Sequence, residues 1–120
     1  MAIKICTDIE QSERLIKLGL DTNTADMYRW SHNGQWFVSP LSEGGYNFGS
    51  NTDKLCWSLS ALLKLMPRKA AIYKDEQRYT CEILAVGGDG GIYSNPLDAA
   101  FGTVVWLIEH DYIKTKECER

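Results

Sequence analysis

The sequence has few of the residues that carry common catalytic and metal-binding chemistry. Only two of its 120 residues are histidines, His32 and His110, so few bases of the usual kind are present to activate a serine or cysteine nucleophile. The four cysteines form no Cys-x-x-Cys pair and lie far from both histidines in the sequence, whereas zinc ligands normally come in close pairs. We therefore expect no catalytic set of this kind, no metal and no cofactor.

An excess of positive charge and long apolar runs are also missing. The chain has 13 lysines and arginines against 16 acidic residues and a formal net charge of −3, whereas a nucleic-acid binder needs a basic footprint. The longest apolar run, Val104–Ile108, is far shorter than the roughly 20 residues of a membrane span. The residues after Met1 lack a signal-peptide pattern. We expect a cytoplasmic protein with free thiols and with neither a nucleic-acid nor a membrane partner.

The composition that remains is that of one globular domain. Hydrophobic residues make up 44% of the chain and charged residues 24%, which is close to the average for folded domains. A length of 120 residues is usual for one domain, so we expect a single domain over residues 1–120. Within it, Cys56 and Cys81 are expected in the core, and Cys6 and Cys118 near frayed ends.

Two helices are indicated in the first half of the chain. Thr7 and Glu10 have the spacing of a capping box, which predicts a helix from Asp8 to Leu18 with Gly19 just beyond its end. Leucines at helical spacing predict a second helix over Ser58–Met66, because the next residue is a proline that stops it.

A third helix has the clearest start signal. Asn95 is a good N-cap and Pro96 suits the first helical position. An apolar stripe then runs to a predicted end near His110. Residues 112 and 113 are expected to pack back as a tail.

Five short segments are predicted to be strands, and the turn Asn33-Gly34 between the first two is a strong hairpin signal. They are Met27–Trp30, Trp36–Val38, Ala71–Tyr73, Tyr79–Val86 and Ile92–Ser94. The order α-β-β-α-β-β-β-α predicts an α+β fold in which the helices pack on a small antiparallel sheet. Residues 42–53 are predicted to form the longest loop.

Three stretches carry a resemblance to known proteins. They run from Glu10 to Tyr28, with the string LGLDTNTADMY, from Trp57 to Leu63 (WSLSALL), and from Asn95 to Leu107, beginning NPLDAAF. Together they resemble a group of small proteins of unknown activity carried by phages and mobile elements of gut bacteria. The resemblance implies an accessory gene whose product acts in the cytoplasm of a bacterial host. It assigns no functional residue and does not extend to residues 31–51.

Aromatic residues are concentrated between positions 28 and 48. They are Tyr28, Trp30, Trp36, Tyr46 and Phe48. Such side chains serve in cores and in hairpin packing, but also at protein interfaces and as stacking platforms for bases. Stacking on nucleic acid would need interleaved basic residues, and only Arg29 is present. Packing is therefore the first interpretation, a protein-binding surface the second, and a surface for nucleic acid or sugar the last.

The back of the third helix is unusual for a solvated surface. Opposite its apolar stripe lie Trp106 and small residues, among them Gly102, where charged residues are the rule. A helical glycine costs about 1 kcal/mol relative to alanine, so Gly102 indicates that something packs close. Either the chain covers this face with its own tail or the 42–53 loop, or the face contacts another protein, most simply a second copy in a homodimer.

Two functions follow as hypotheses. The first is a small binding protein that docks onto another protein or onto itself, with Tyr28, Trp30, Trp36, Tyr46, Phe48, Gly102 and Trp106 as candidate contacts. The alternative is a small enzyme that uses carboxylates or His32 in a cleft beside the 42–53 loop.

Overall fold

A computed structural model describes residues 4–41, 54–67, 69–113 and 115. Within these ranges the chain forms three α-helices, five strands and a short 3-10 helix at Thr22–Thr24. The helices are α1 (Ile9–Lys17), α2 (Leu59–Lys64) and α3 (Pro96–Glu109), and the strands are β1 (Met27–His32), β2 (Gln35–Pro40), β3 (Leu55–Cys56), β4 (Ala70–Asp75) and β5 (Arg78–Ile83). The predicted α+β class with antiparallel pairing is confirmed. The 42–53 loop and Cys118 lie outside the described residues.

The strands belong to two sheets, whereas the sequence predicted one. The first has the order β2-β1-β3 and the second contains β4 and β5, and all pairings are antiparallel. The prediction of a strand over Ile92–Ser94 is wrong, because Tyr93 forms only an isolated bridge to Tyr79. Strand β5, predicted to run to Val86, ends at Ile83, because a turn follows in which Ala85 has a φ of 68°.

The β1–β2 hairpin is confirmed, and both strands are longer than predicted. Asn33 and Gly34 have φ values of 51° and 78°. These positive angles are those of a type I′ turn, whose twist matches that of the flanking strands. The register pairs His32 with Gln35, next to the turn, and Met27 with Pro40 at the base.

The start of α1 differs by one residue from the prediction. Asp8, not Thr7, is the N-cap, and it forms a reciprocal capping box with Gln11. Thr7 is fully buried instead, because its backbone N–H donates to the Trp57 carbonyl at 2.8 Å. Cys6 is also buried and bridges to Ser58, so its predicted place near a frayed end is wrong.

Helix α3 lies at the centre of the core. Its N-cap is Asn95 with Pro96 in the first turn, and its C-cap is His110, as predicted. The tail folds back as expected: the Tyr112 N–H donates to the Leu107 carbonyl at 2.8 Å, and Ile113 is buried. This return requires Asp111 to adopt a φ of 64°.

Both sides of α3 are covered by this chain. Ala99 and Thr103, on the face opposite the predicted apolar stripe, are fully buried. The Thr103 hydroxyl donates to the Cys81 carbonyl at 3.0 Å and so ties the helix to β5. The main apolar cluster therefore surrounds the helix, with contributions from α1, α2 and both sheets.

The segment around Trp57 joins the remaining elements. The indole is fully buried and its N–H donates to the Thr24 hydroxyl at 2.9 Å. The Trp57 backbone N–H donates to the Thr7 hydroxyl at 3.0 Å. Next to it, the Asp26 carboxylate accepts from both the backbone and the hydroxyl of Ser58, which is the N-cap of α2. We call these contacts of Thr7, Thr24, Asp26, Trp57 and Ser58 the Trp57 junction. They fix the base of β1 against α1 and α2.

Asn95→Ala is expected to lower the free energy of unfolding by about 1 kcal/mol, because it removes the oxygen that accepts from the Asp98 N–H at 2.8 Å. Urea denaturation measures this loss. Asn95→Ser keeps a capping oxygen and should recover most of it, and Glu13→Ala, at an exposed site of α1, should have little effect. Equal stability of Asn95→Ala and the parent would contradict the assignment.

Candidate functional site

The outer half of the β1–β2 hairpin exposes three large aromatic side chains. Trp30 and Phe37 are each 37% exposed and Trp36 is 58% exposed. Trp30 and Phe37 are cross-strand partners, and strand alternation places Tyr28 on their face and Trp36 on the opposite face. The hairpin therefore carries aromatic residues on both of its faces.

Trp30 and Phe37 form a fixed pair. Their rings stack with centroids 4.6 Å apart and an interplanar angle of 24°. The Trp30 indole N–H donates to the Ser39 hydroxyl at 3.0 Å, which holds the indole along the strands. Because stacking and this hydrogen bond restrict both rings, little side-chain entropy remains to be lost when another molecule contacts them.

Trp36 lies on the face towards α1. The ammonium of Lys54 is 5.4 Å from its ring centroid, within the range of a cation–π contact. Together with Ile9, Glu13 and Arg29 these two residues line a small cavity of about 120 Å³. This face of the hairpin is therefore partly occupied by its own chain.

The outer edge of β2 is unpaired within the described residues. In a two-residue hairpin the pair that closes the turn exchanges both backbone hydrogen bonds, and every second pair repeats this. The Leu41 N–H, which donates to the Asp26 carbonyl at 3.0 Å, continues that pattern. The backbone groups of Trp36 and Val38 therefore point away from β1. No described strand accepts them, since β2 ends the order β2-β1-β3.

A separate cleft of about 390 Å³ lies on the other side of α1, between α1, α3 and residues 89–93. Its polar lining consists of Gln11, Arg14, Asp89, Tyr93, Asp98 and Glu109. The sequence analysis did not identify this site, because its residues are up to 98 positions apart (Gln11 to Glu109) and share no local motif. Gly102 and Trp106 also line it, so they do not belong with the hairpin aromatics.

Gly102 makes room for a hydrogen-bonded pair at the cleft. The Tyr93 hydroxyl donates to the Asp89 carboxylate, and a Cβ at position 102 would overlap both side chains. Burial, and then the hydrogen bond to Asp89, raise the pKa of Tyr93 to about 12. The phenol is therefore protonated and donates throughout the neutral range.

The other carboxylates of the cleft are also bound by neighbours. Asp98 accepts from Lys4 at 2.8 Å and from Gln11 at 2.9 Å. Burial alone would raise the pKa of Asp98, but these hydrogen bonds and the Lys4 charge outweigh it and lower the pKa. Glu109 forms an ion pair with Arg14 at 3.5 Å. Such engagement favours structural roles for these groups over proton transfer.

Trp106 is half-buried beside the cleft and is covered by the tail. Its ring stacks on His110, with centroids 4.4 Å apart, and on Tyr112 at 5.8 Å. His110 is therefore part of the end of α3, where its Nδ1 lies 2.9 Å from the Trp106 carbonyl oxygen. The other histidine, His32, is exposed at the end of β1.

A buried pair of thiols lies near the Trp57 junction. Cys6, Cys56 and Cys81 are all free, as predicted. The contact with Cys56 lowers the pKa of the Cys6 thiol, with help from the Arg29 charge and against the effect of burial. The same contact and burial raise the pKa of Cys56. Because both side chains are buried, a reagent reaches this pair only if the junction opens.

Comparison with known proteins gives no relative: the chain matches no protein-family model, no curated protein and no solved structure. Among the described residues, no group of three or more histidines, cysteines or carboxylates is placed to hold a metal ion. None of the helices in the described ranges has the length and apolarity of a membrane crossing.

The predicted contact residues thus fall into three sets. Tyr28, Trp30 and Trp36 lie on one hairpin, where the structure adds Phe37. Gly102 and Trp106 lie at the cleft. Tyr46 and Phe48 are outside the described residues, as is the 42–53 loop beside which a catalytic cleft was hypothesised.

Gly102→Ala is expected to destabilise the parent protein and to stabilise a Tyr93→Ala variant. In the parent, the new methyl group displaces Tyr93 and breaks its bond to Asp89. Without the Tyr93 ring, the Asp89 carboxylate oxygen that also lies close to Gly102 loses its hydrogen-bond partner and can turn away. The methyl group then has space, and the higher helix propensity of alanine contributes up to about 1 kcal/mol. Urea denaturation of the four proteins of this double-mutant cycle measures both effects. A stabilising effect in both backgrounds would show that Tyr93 does not occupy this space.

Proposed function

We propose that this chain acts by binding protein through the β1–β2 hairpin, as an accessory protein of a phage or mobile element. The observation that carries the proposal is the exposed Trp30–Phe37 pair, held in place by stacking and by Ser39. Rigid aromatic anchors are typical of the centres of protein interfaces. The accessory role rests on the sequence resemblance alone.

The chemistry of this hairpin face favours a protein over a nucleic acid. Alternation along the strands places no lysine or arginine on this face, which carries Tyr28, Trp30, His32, Gln35, Phe37 and Ser39. Stacking on a single strand of nucleic acid would need cations beside the rings to meet the phosphates. The described cations beside the hairpin, Arg29 and Lys54, lie on its other face, where Arg29 donates to the Thr7 carbonyl and the Lys54 ammonium lies over the Trp36 ring.

Site-specific photo-crosslinking tests this proposal. A photoreactive phenylalanine analogue placed at position 37 should form covalent adducts with other protein molecules when cells in which this protein naturally occurs are irradiated. The same analogue at Tyr73 is the matched control, since Tyr73 is a 56% exposed aromatic residue on β4, in the other sheet. Adducts from position 37 and none from position 73 are expected. No adduct at 37, or equal yields at both positions, would reject the hairpin as a protein-binding surface.

A further inference from the structure

We propose that the hairpin binds a second copy of this chain, with the two β2 strands pairing antiparallel across a two-fold axis at Phe37. This inference rests on the proposed function and names the partner of that same surface. It depends on three features of β2: which backbone groups point outwards, which side chains would meet, and which charges are absent.

The backbone of β2 is self-complementary in this register. Trp36 and Val38 direct their N–H and C=O groups to the outer edge of the sheet. With the axis at Phe37, Trp36 of one copy lies opposite Val38 of the other, so that the N–H groups of both residues in both copies find a carbonyl. A shift that centres the axis on Val38 would instead place Trp36 opposite Pro40, whose ring stands where an N–H would have to donate to the Trp36 carbonyl. The Phe37 register is therefore preferred.

The side chains support the same arrangement. The two Phe37 rings would face each other across the axis, and Trp30 is already stacked on each of them. A row of four aromatic rings would then run across both hairpins, and aromatic cross-strand pairs stabilise sheets. On the opposite face each Trp36 would meet a Val38.

No charge on β2 opposes this pairing. The strand consists of Gln35, Trp36, Phe37, Val38, Ser39 and Pro40, so no like charges meet across a two-fold axis. Edge strands of monomeric proteins are usually protected by lysines, bulges or inward-pointing charges. Proline is another protection of this kind, and within β2 it occurs once, as Pro40 at the end of the strand. The pairing would join two three-stranded sheets into one continuous sheet.

The expected dimer is weak, because an interface of one strand pair and four rings lies at the small end of specific interfaces. Sedimentation velocity of the purified chain, from about 1 to about 500 µM, should therefore show a reversible monomer–dimer equilibrium. Val38→Pro removes one outward N–H from each copy and leaves the β1–β2 ladder intact. It should raise the dissociation constant by about tenfold or more.

A charge exchange at Phe37 tests the register. Phe37→Lys and Phe37→Glu should each be monomeric, because like charges would face each other across the axis. An equimolar mixture should form a heterodimer, since opposite charges then meet. Tyr73→Lys is the control and should dimerise like the parent. Circular dichroism establishes that each variant is folded.

Three outcomes would overturn the inference. The first is a parent protein that is monomeric over the whole concentration range. The second is a dimer that persists in both Val38→Pro and Phe37→Lys, which would place the interface elsewhere. The third is failure of the mixed charge variants to associate while the parent dimerises. Position-37 crosslinks to a different protein, with no self-association, would overturn the second copy as partner but leave the proposed function standing.

Discussion

The arrangement of the chain depends on the hydrogen bonds around Trp57. The indole is fully buried, and its only strongly polar atom is satisfied by Thr24. Thr7, just before α1, binds the Trp57 backbone, and Asp26, just before β1, binds Ser58, the N-cap of α2. A buried polar group without a partner costs about 1–3 kcal/mol, so loss of one of these partners would destabilise several elements together.

This junction gives the hairpin a fixed base, and within the described part of the chain its outer half is largely exposed. The base of β1 pairs with β3, and the Arg29 guanidinium reaches back to the Thr7 carbonyl. Beyond Arg29 the strands are exposed up to the turn. A hairpin extended in this way is normally marginal. The Trp30–Phe37 stack stabilises it locally, and the same two rings supply the apolar surface that a partner can bury. The Trp30 and Phe37 side chains therefore both stabilise the hairpin and provide the surface that binds a partner.

Short sequence motifs correctly predicted those features of the fold that depend on a few neighbouring residues. Asn33-Gly34 specified the hairpin turn, and Asn95-Pro96 specified the start of α3, because each signal acts within a few residues. The start of α1 was ambiguous for a physical reason. Thr7 with Glu10 and Asp8 with Gln11 both have the capping-box spacing, and the tertiary contact of Thr7 with Trp57 selects Asp8 as the cap.

The features that sequence reasoning missed depend on distant parts of the chain. The two-residue strand β3 is too short to show a pattern, and the division into two sheets follows from packing around α3. The cleft is assembled from α1, α3 and residues 89–93, so only the small size of Gly102 hinted at it. Phe37 was absent from the predicted contacts because its stacking on Trp30 becomes evident only once the strand register is known.

Amide hydrogen exchange at two protein concentrations tests the central claim most directly. Val38 and Trp36 should exchange rapidly in dilute solution, where their N–H groups face solvent, while Phe37, whose N–H is bonded to β1, should be protected. At high concentration the first two amides should become protected and Phe37 should change little. Protection of Val38 equal to that of Phe37 in dilute solution would contradict the account, because the edge of β2 would then already be covered within one copy.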